Sequence, residues 1–303
     1  MKHILSLGAG VQSSTLALMA ARGEVILNRR GDSESGDFER ASGSQRVGSP
    51  APIQLDAAIF ADTQDEPAGV YRWLDWLEAE IAKLPHGYPV YRVTAGRLSD
   101  EALKMRVTKD GRKFSRTDIP FFTLNRDGSQ GKITSRACTY DYKIRPILKK
   151  ARELAGIKRG QKTVGVTSWI GISLDEVQRM KPARERWAEN VWPLVDMRMR
   201  RGDCLEWMKR NGYPKPPRSS CVYCPYHSNA EWRRMKDEEP EAFDAAVRFE
   251  RDLQRIKGNT DNMHSVPFLH KSLRPLDQVD LSTLEDHGQM GLWGEECEGM
   301  CGV

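Results

Sequence analysis

No stretch of this 303-residue chain approaches the roughly 18 consecutive apolar residues of a membrane-spanning helix, and so a helical membrane protein is not expected. The first residues also lack a basic segment followed by a long apolar one, so no secretory leader is expected and the cytoplasm is the expected compartment. No internal repeat is visible. Charge of one sign is not dominant either: the net charge is only +5, with 29% charged and 39% hydrophobic residues, the balance of a folded domain without a membrane partner. Lys and Arg gather in 104–116, 143–152 and 198–201. Such clusters are either solvated surface or contacts for an anion, a nucleotide or a nucleic acid whose phosphates release counterions on binding. Cysteine is sparse at six residues, which in a reducing compartment points to metal ligands, catalytic thiols or buried apolar groups rather than disulfides.

The feature that stands out is Ser6-Leu-Gly-Ala-Gly-Val-Gln-Ser-Ser-Thr15, placed between the apolar run 2–5 and the helix formers 16–21. A strand that turns through glycine and serine into a helix presents backbone N–H groups and a positive dipole end to one point. The loop lacks the Gly-Lys-Ser/Thr ending of a Walker A loop. Gly8-x-Gly10-x-x-Ser13 is a near miss to the dinucleotide fingerprint, with Asp62 in range as a ribose acid once the polar stretch 28–52 is discounted. A pyrophosphate cradle in which serine hydroxyls assist the backbone also fits, and a structural Gly-Ser turn is the plain alternative.

Strand-like segments at 55–61, 88–93, 163–172 and 192–195 alternate with helix-like segments at 70–84, 98–107, 143–155, 204–210 and 229–256. Trp73, Leu74, Leu77 and Ile81 fall on one helical face. The expected fold is α/β, a doubly wound and mostly parallel sheet, with a C-terminal helical, cysteine-containing extension. The expected domains are 1–215, interrupted by a flexible insertion at 28–52, and 216–303. Trp207, Trp232, Phe243, Phe249 and Cys204 are expected in the core, and His227 and His264 as ordinary polar residues, with His227 near enough to Cys224 to serve a zinc site.

Several segments, taken in order, resemble the PP-loop adenine nucleotide alpha-hydrolase (ATP pyrophosphatase) superfamily, and within it the PAPS reductase-like family. Ser6-x-Gly-x-Gly-x-x-Ser-Ser14 is similar to the PP-loop. Phe60-Ala-Asp-Thr63 with Pro67 and Tyr71 is similar to the Asp-Thr-Gly…Pro…Tyr segment. Cys138 followed by Lys143 and Pro146, then Gly171, Ser173 and Arg179, and finally Trp192-Pro-Leu194, match later segments. The resemblance covers most of residues 1–215. It implies a nucleotide site made of Ser6, Gly8, Gly10, Gln12, Ser13, Ser14, Asp62, Thr63, Gly171, Ser173 and Arg179. The nucleotide is ATP, or PAPS, with Mg²⁺ offsetting its charge.

Two departures shape what the resemblance implies. Val11-Gln12 stands where the reductases have Lys-Asp, so another base, Lys143, Arg145 or Arg179, must meet the phosphate charge. Ile170-Gly-Ile172 stands where an Arg-Arg pair would hold the extra phosphate of PAPS, which favours ATP. The expected chemistry is adenylation of an acceptor with release of pyrophosphate, in sulfur transfer or nucleic-acid modification, with a nucleic acid as one acceptor and a sulfur- or electron-donor protein as a partner. The alternatives are reduction of PAPS or APS to sulfite through a tail cysteine, and a non-catalytic nucleotide- or nucleic-acid-binding module.

Cys221-Val-Tyr-Cys224-Pro is a second signal, since two thiols two residues apart can share one metal. Cys138 resembles a cysteine that joins a later CxxC around a 4Fe-4S cluster in iron–sulfur members of the family. Cys138, Cys221, Cys224 and Cys301 are therefore the expected ligands, of a cluster or of zinc, with free thiols as the other option. The Glu-Cys-Gly tail motif of the reductases is echoed by Cys297 and Cys301, which with Lys143 are the candidate catalytic residues. Glutamates around Cys297 would raise its thiol pKa unless a basic pocket received it.

Overall fold

The structure is a computed structural model that describes residues 1–26, 53–116, 118–283 and 286. The expected insertion at 28–52, Cys297 and Cys301 lie outside the described residues. The strands are β1 (Lys2–Leu7), β2 (Ala57–Asp62), β3 (Val90–Thr94), β4 (Met105–Val107), β5 (Lys113–Ser115), β6 (Phe122–Leu124), β7 (Val166–Ile170), β8 (Ala188–Val191) and β9 (Val266–Phe268). The helices are α1 (Val11–Arg22), α2 (Ala68–Lys83), α3 (Leu98–Leu103), α4 (Arg145–Leu154), α5 (Pro193–Asp196), α6 (Arg201–Arg210), α7 (Asn229–Glu238) and α8 (Pro240–Gly258). None of them is long and apolar enough to cross a membrane.

The chain folds into two compact units. The first gathers Met1–Phe60, Arg72–Arg92 and Lys149–Arg218; the second gathers Ala61–Tyr71, Val93–Leu148 and Ser219–Val303. The seam at 218/219 falls close to the expected boundary at 215/216, but 61–71 and 93–148 group with the C-terminal part. The physical reason is a shared apolar core. Leu98, Ile119, Phe121 and Tyr142 are buried in one cluster with Val222, Trp232, Phe243, Phe249 and Leu253.

The first unit is α/β around a five-stranded sheet in the order β3-β2-β1-β7-β8. β1 pairs in parallel with β2 and β7, and β7 pairs in parallel with β8. Ile4, Leu5 and Leu7 of β1 are all buried, as a central parallel strand covered on both faces requires. The chain builds outward from β1 to β3, then returns to the other side of β1 as β7. The strand order therefore reverses between β1 and β7, where α/β sheets leave a crevice at the carboxyl ends of their strands.

Helix α1 is buried along nearly its whole length. It stops at Gly23, whose left-handed backbone (φ 76°) lets its N–H reach Ala20 O while Glu24 N–H reaches Met19 O. Trp73, Leu74, Leu77 and Ile81 of α2 are all buried, as their spacing predicts.

In the second unit β4 and β5 form an antiparallel hairpin, and β6 pairs antiparallel with β9. Helix α7 starts on Ser228, whose hydroxyl accepts from Glu231 N–H at 3.2 Å. The expected continuous helix 229–256 is broken at Glu239, because Pro240 can open a helix but not continue one. Three further elements differ from expectation. The segment 98–107 is helical only to Leu103 and then enters β4. The strand expected at 192–195 is a helical turn opened by Pro193, and the strand itself is β8 just before it. The helix expected from Lys143 is entered through a wide π turn at Thr139–Ile144.

Candidate functional site

At the carboxyl end of β1 in the first unit, Ala9 takes a left-handed conformation (φ 55°) and Gly10 leads into α1 without a side-chain cap. Ser13 Oγ accepts from Gly8 N–H at 3.2 Å and donates to Gly10 O at 3.3 Å, folding the loop on itself. The loop after β7 closes on the same point. A Cβ on Gly171 would stand 3.0 Å from both Ser13 N and Ser13 Cα, so glycine there permits two backbones to approach. Ser6 lies in β1 between Ile59 and Ile170. Ser6, Gly8, Gly10, Gln12, Ser13, Gly171, Ser173 and Arg179 thus converge at the strand-order reversal.

Gln12 ties this end together. Its Nε2 donates to Ser173 Oγ and to Glu176 Oε2, each at 3.3 Å, and its Oε1 accepts from Arg201 at 3.1 Å. Ser173 Oγ donates to Asp175, and Asp175 in turn accepts the Arg201 backbone N–H at the start of α6. The four residues Gln12, Ser173, Asp175 and Arg201 close a ring of hydrogen bonds. Glu176 also pairs with Arg179 at 2.7 Å. Ser14 is placed differently from its neighbours. It is fully buried, and its hydroxyl accepts from the Trp73 indole at 3.0 Å, so its oxygen serves the α1–α2 packing.

The second unit holds the rest. Asp62 Oδ1 accepts from Gln64 N–H at 2.7 Å and from Tyr71 OH at 2.8 Å. Burial, then Asp62, raises the Tyr71 phenol pKa, so the phenol stays a donor. Thr63 is fully buried, and its hydroxyl reaches Cys221 Sγ at 3.1 Å and Glu66 at 3.3 Å. The Asp-Thr pair therefore points to two places, with Thr63 joined to the cysteines.

Cys138, Cys221 and Cys224 line one cavity of about 40 Å³ together with Arg136, Lys143 and Tyr226. Cys138 enters the π turn with its N–H on Asp118 O at 2.7 Å. The CxxC segment is a turn closed by Cys224 N–H on Cys221 O at 3.0 Å. Val222 N–H donates to Asp65 O, and the His227 ring contacts Cys221 O at 3.0 Å. Lys143 stands 3.5 Å from Glu66 Oε1. The other oxygen of Glu66, Oε2, is buried with no hydrogen-bond partner among the described residues. Burial, reinforced by Glu66, pushes the Cys221 thiol well above the usual range, while Lys143 and Thr63 act against it. Cys204 lies apart, fully buried on α6 in the first unit, with burial raising it to about 12, so it is the apolar filler expected.

Among the described residues no three His, Cys, Asp or Glu side chains stand together as a ready metal site. Three thiols around one cavity still match a thiophilic ion in donor chemistry. About 40 Å³ holds a few waters or a single ion, and a four-iron cubane would require the walls to part. Sequence reasoning missed Glu66 and Arg136, and placed Arg201 only within a basic cluster open to anion contact. Glu66 lies between two motifs, and Arg201 closes a basic run with the look of solvated surface. No protein-family model, curated protein or solved structure matches the chain.

Proposed function

We propose that this chain is a PP-loop enzyme that binds ATP at the carboxyl edge of its parallel sheet and activates an acceptor by adenylation, releasing pyrophosphate. The observation that carries the proposal is the closure of the Gly171 loop onto Ser13 where the strand order reverses. Backbone N–H groups at the start of α1 are then held for a phosphate, with no acidic residue in the helix's first turn to compete. Mg²⁺ would accompany the nucleotide and spread the charge of its phosphates. In the second unit Cys138, Cys221 and Cys224, with Cys301 or Cys297 from the tail, would hold a thiophilic metal. Zinc would fix that segment and deprotonate the thiols, and a 4Fe-4S cluster would supply electrons or bind sulfur.

Two measurements test this. Purified protein incubated with radiolabelled ATP, Mg²⁺ and candidate acceptors, including transfer RNA, is expected to yield AMP and pyrophosphate only when the acceptor is present. Sulfite released from PAPS, or failure to bind ATP, refutes the adenylation. Anaerobic purification with metal and sulfide assay is expected to find metal in wild type and to lose it in Cys221→Ala. A metal-free wild-type protein refutes the thiol-metal assignment.

A further inference from the structure

We infer that Arg201 is the phosphate-binding cation of this site, and that Gln12 is there to aim it without neutralising it. The inference rests on the nucleotide proposal above and adds a residue that the PP-loop motif does not contain. Residues 11 and 12 carry no charge, and Val11 is buried, so the loop offers no cation of its own. Arg179, the nearby base that the sequence suggests, is paired with Glu176 at 2.7 Å. Arg201 differs from it. Its guanidinium donates to the neutral carboxamide oxygen of Gln12 at 3.1 Å and makes no ion pair among the described residues.

Two contacts fix the arginine in place. Its backbone N–H sits on Asp175, and just before it Leu174 N–H bonds Met199 O at 2.8 Å, so the loop after β7 and the start of α6 are stitched together. The carboxylate of Asp175 is thereby directed at the α6 backbone. Gln12 lies in the first turn of α1, and the donor it accepts is held beside that turn. An aspartate or glutamate at position 12 would form an ion pair with Arg201 and cancel its charge. A carboxamide orients the same donor and leaves the charge for an anion. Arginine presents several donors in a planar fork, the geometry suited to two oxygens of a polyphosphate. The ligand class is therefore a nucleoside polyphosphate, recognised through its phosphates rather than its base.

The test is calorimetric titration of wild type, Arg201→Gln, Arg201→Lys and Gln12→Glu with ATP, pyrophosphate and adenosine. Arg201→Gln is expected to weaken ATP and pyrophosphate about tenfold to a hundredfold, the loss that follows removal of a charged hydrogen-bond donor, and to leave adenosine unchanged. Arg201→Lys, which keeps the charge and loses the fork, is expected to recover part of the loss. Gln12→Glu keeps the arginine and should mimic Arg201→Gln, which keeps the inference testable if that variant folds poorly. Equal weakening of ATP and adenosine, or ATP binding by both Arg201→Gln and Gln12→Glu at wild-type strength, overturns Arg201's role and leaves the nucleotide proposal standing. Wild-type protein that binds neither ATP nor pyrophosphate overturns both.

Discussion

The end of β1 and the cysteine cavity both gather polar side chains, and they are built on opposite terms. The first is a ring of neutral donors and acceptors, Gln12 and Ser173, closed by Asp175 and Arg201, with one backbone N–H among its links. Every member has a partner, so the geometry is set before a ligand arrives. The second confines titratable groups in little space. Cys221 is a buried thiol that burial discourages from ionising, beside a carboxylate whose Oε2 has no partner among the described residues. A buried polar atom left unpaired costs about 1–3 kcal/mol, a cost that a bound ion or water would relieve. The contrast is one of partnering: the first set of side chains closes on itself, while in the second a buried carboxylate oxygen lacks a partner among the described residues.

The largest expected effect strikes the second site from behind. Trp232 is fully buried and its ring stands 4.6 Å from His227, which in turn contacts Cys221 O. Trp232→Ala should cost about 3–5 kcal/mol by cavity formation, read from urea denaturation. It should also let a thiol reagent reach Cys221 far faster in the native state. Unchanged labelling, with the stability loss present, would show that the CxxC turn keeps its enclosure without that core, and the contrast would lose one of its supports.

Next in size is the response to pH. Lys257 is almost fully buried, donates to Ser115 O and Arg116 O, and burial lowers it from 10.5 to about 8. Between those values the unfolded chain holds more protons than the folded one, so stability rises with pH. The gain approaches roughly 3 kcal/mol if fully expressed. Tyr71, Tyr88 and Tyr142 are shifted upward from 10.0 by burial and pull stability the other way once unfolded tyrosines ionise. The window to measure is therefore pH 8 to 10, where the urea midpoint should climb and Lys257→Met should flatten the climb. ATP affinity through the same window should move much less, because the ring at Gln12 contains neither lysine nor tyrosine. A parallel rise in both would erase the distinction between the sites.

How far the sequence carries depends on the distance over which a residue finds its partner. β1, α1 and α2 are legible because their signals are local: Leu16 to Ala21 favour helix, Gly23 ends it, and Trp73, Leu74, Leu77 and Ile81 share a face. The segment 98–107 misleads because Leu98 and Ala102 follow helical spacing, whereas Met105–Val107 pairs with Lys113–Ser115 across a turn. Trp192–Val195 looks strand-like by composition, yet Pro193 favours the first position of a helical turn. In the candidate sites Gly8, Gly10 and Ser13 are readable, and so is the grouping of Cys138, Cys221 and Cys224. Gln12 with Arg201 and Thr63 with Cys221 are not, since 189 and 158 residues separate them. The absence of charge at Val11-Gln12 is plain in the sequence, whereas the contact of Gln12 with Arg201 is seen only in the fold.

The smallest expected effect separates two meanings of one serine. Ser14 belongs to the loop motif, yet its hydroxyl accepts the Trp73 indole at 3.0 Å in the packing of α1 on α2. Ser14→Ala strands a buried N–H, a loss of about 1–3 kcal/mol, and removes no charge from the site. The variant should therefore melt earlier while losing far less ATP affinity than Arg201→Gln. If Ser14→Ala keeps its melting temperature and loses ATP affinity tenfold, the hydroxyl belongs to the ligand. The first site would then depend on side-chain oxygens more than on the backbone and the one arginine.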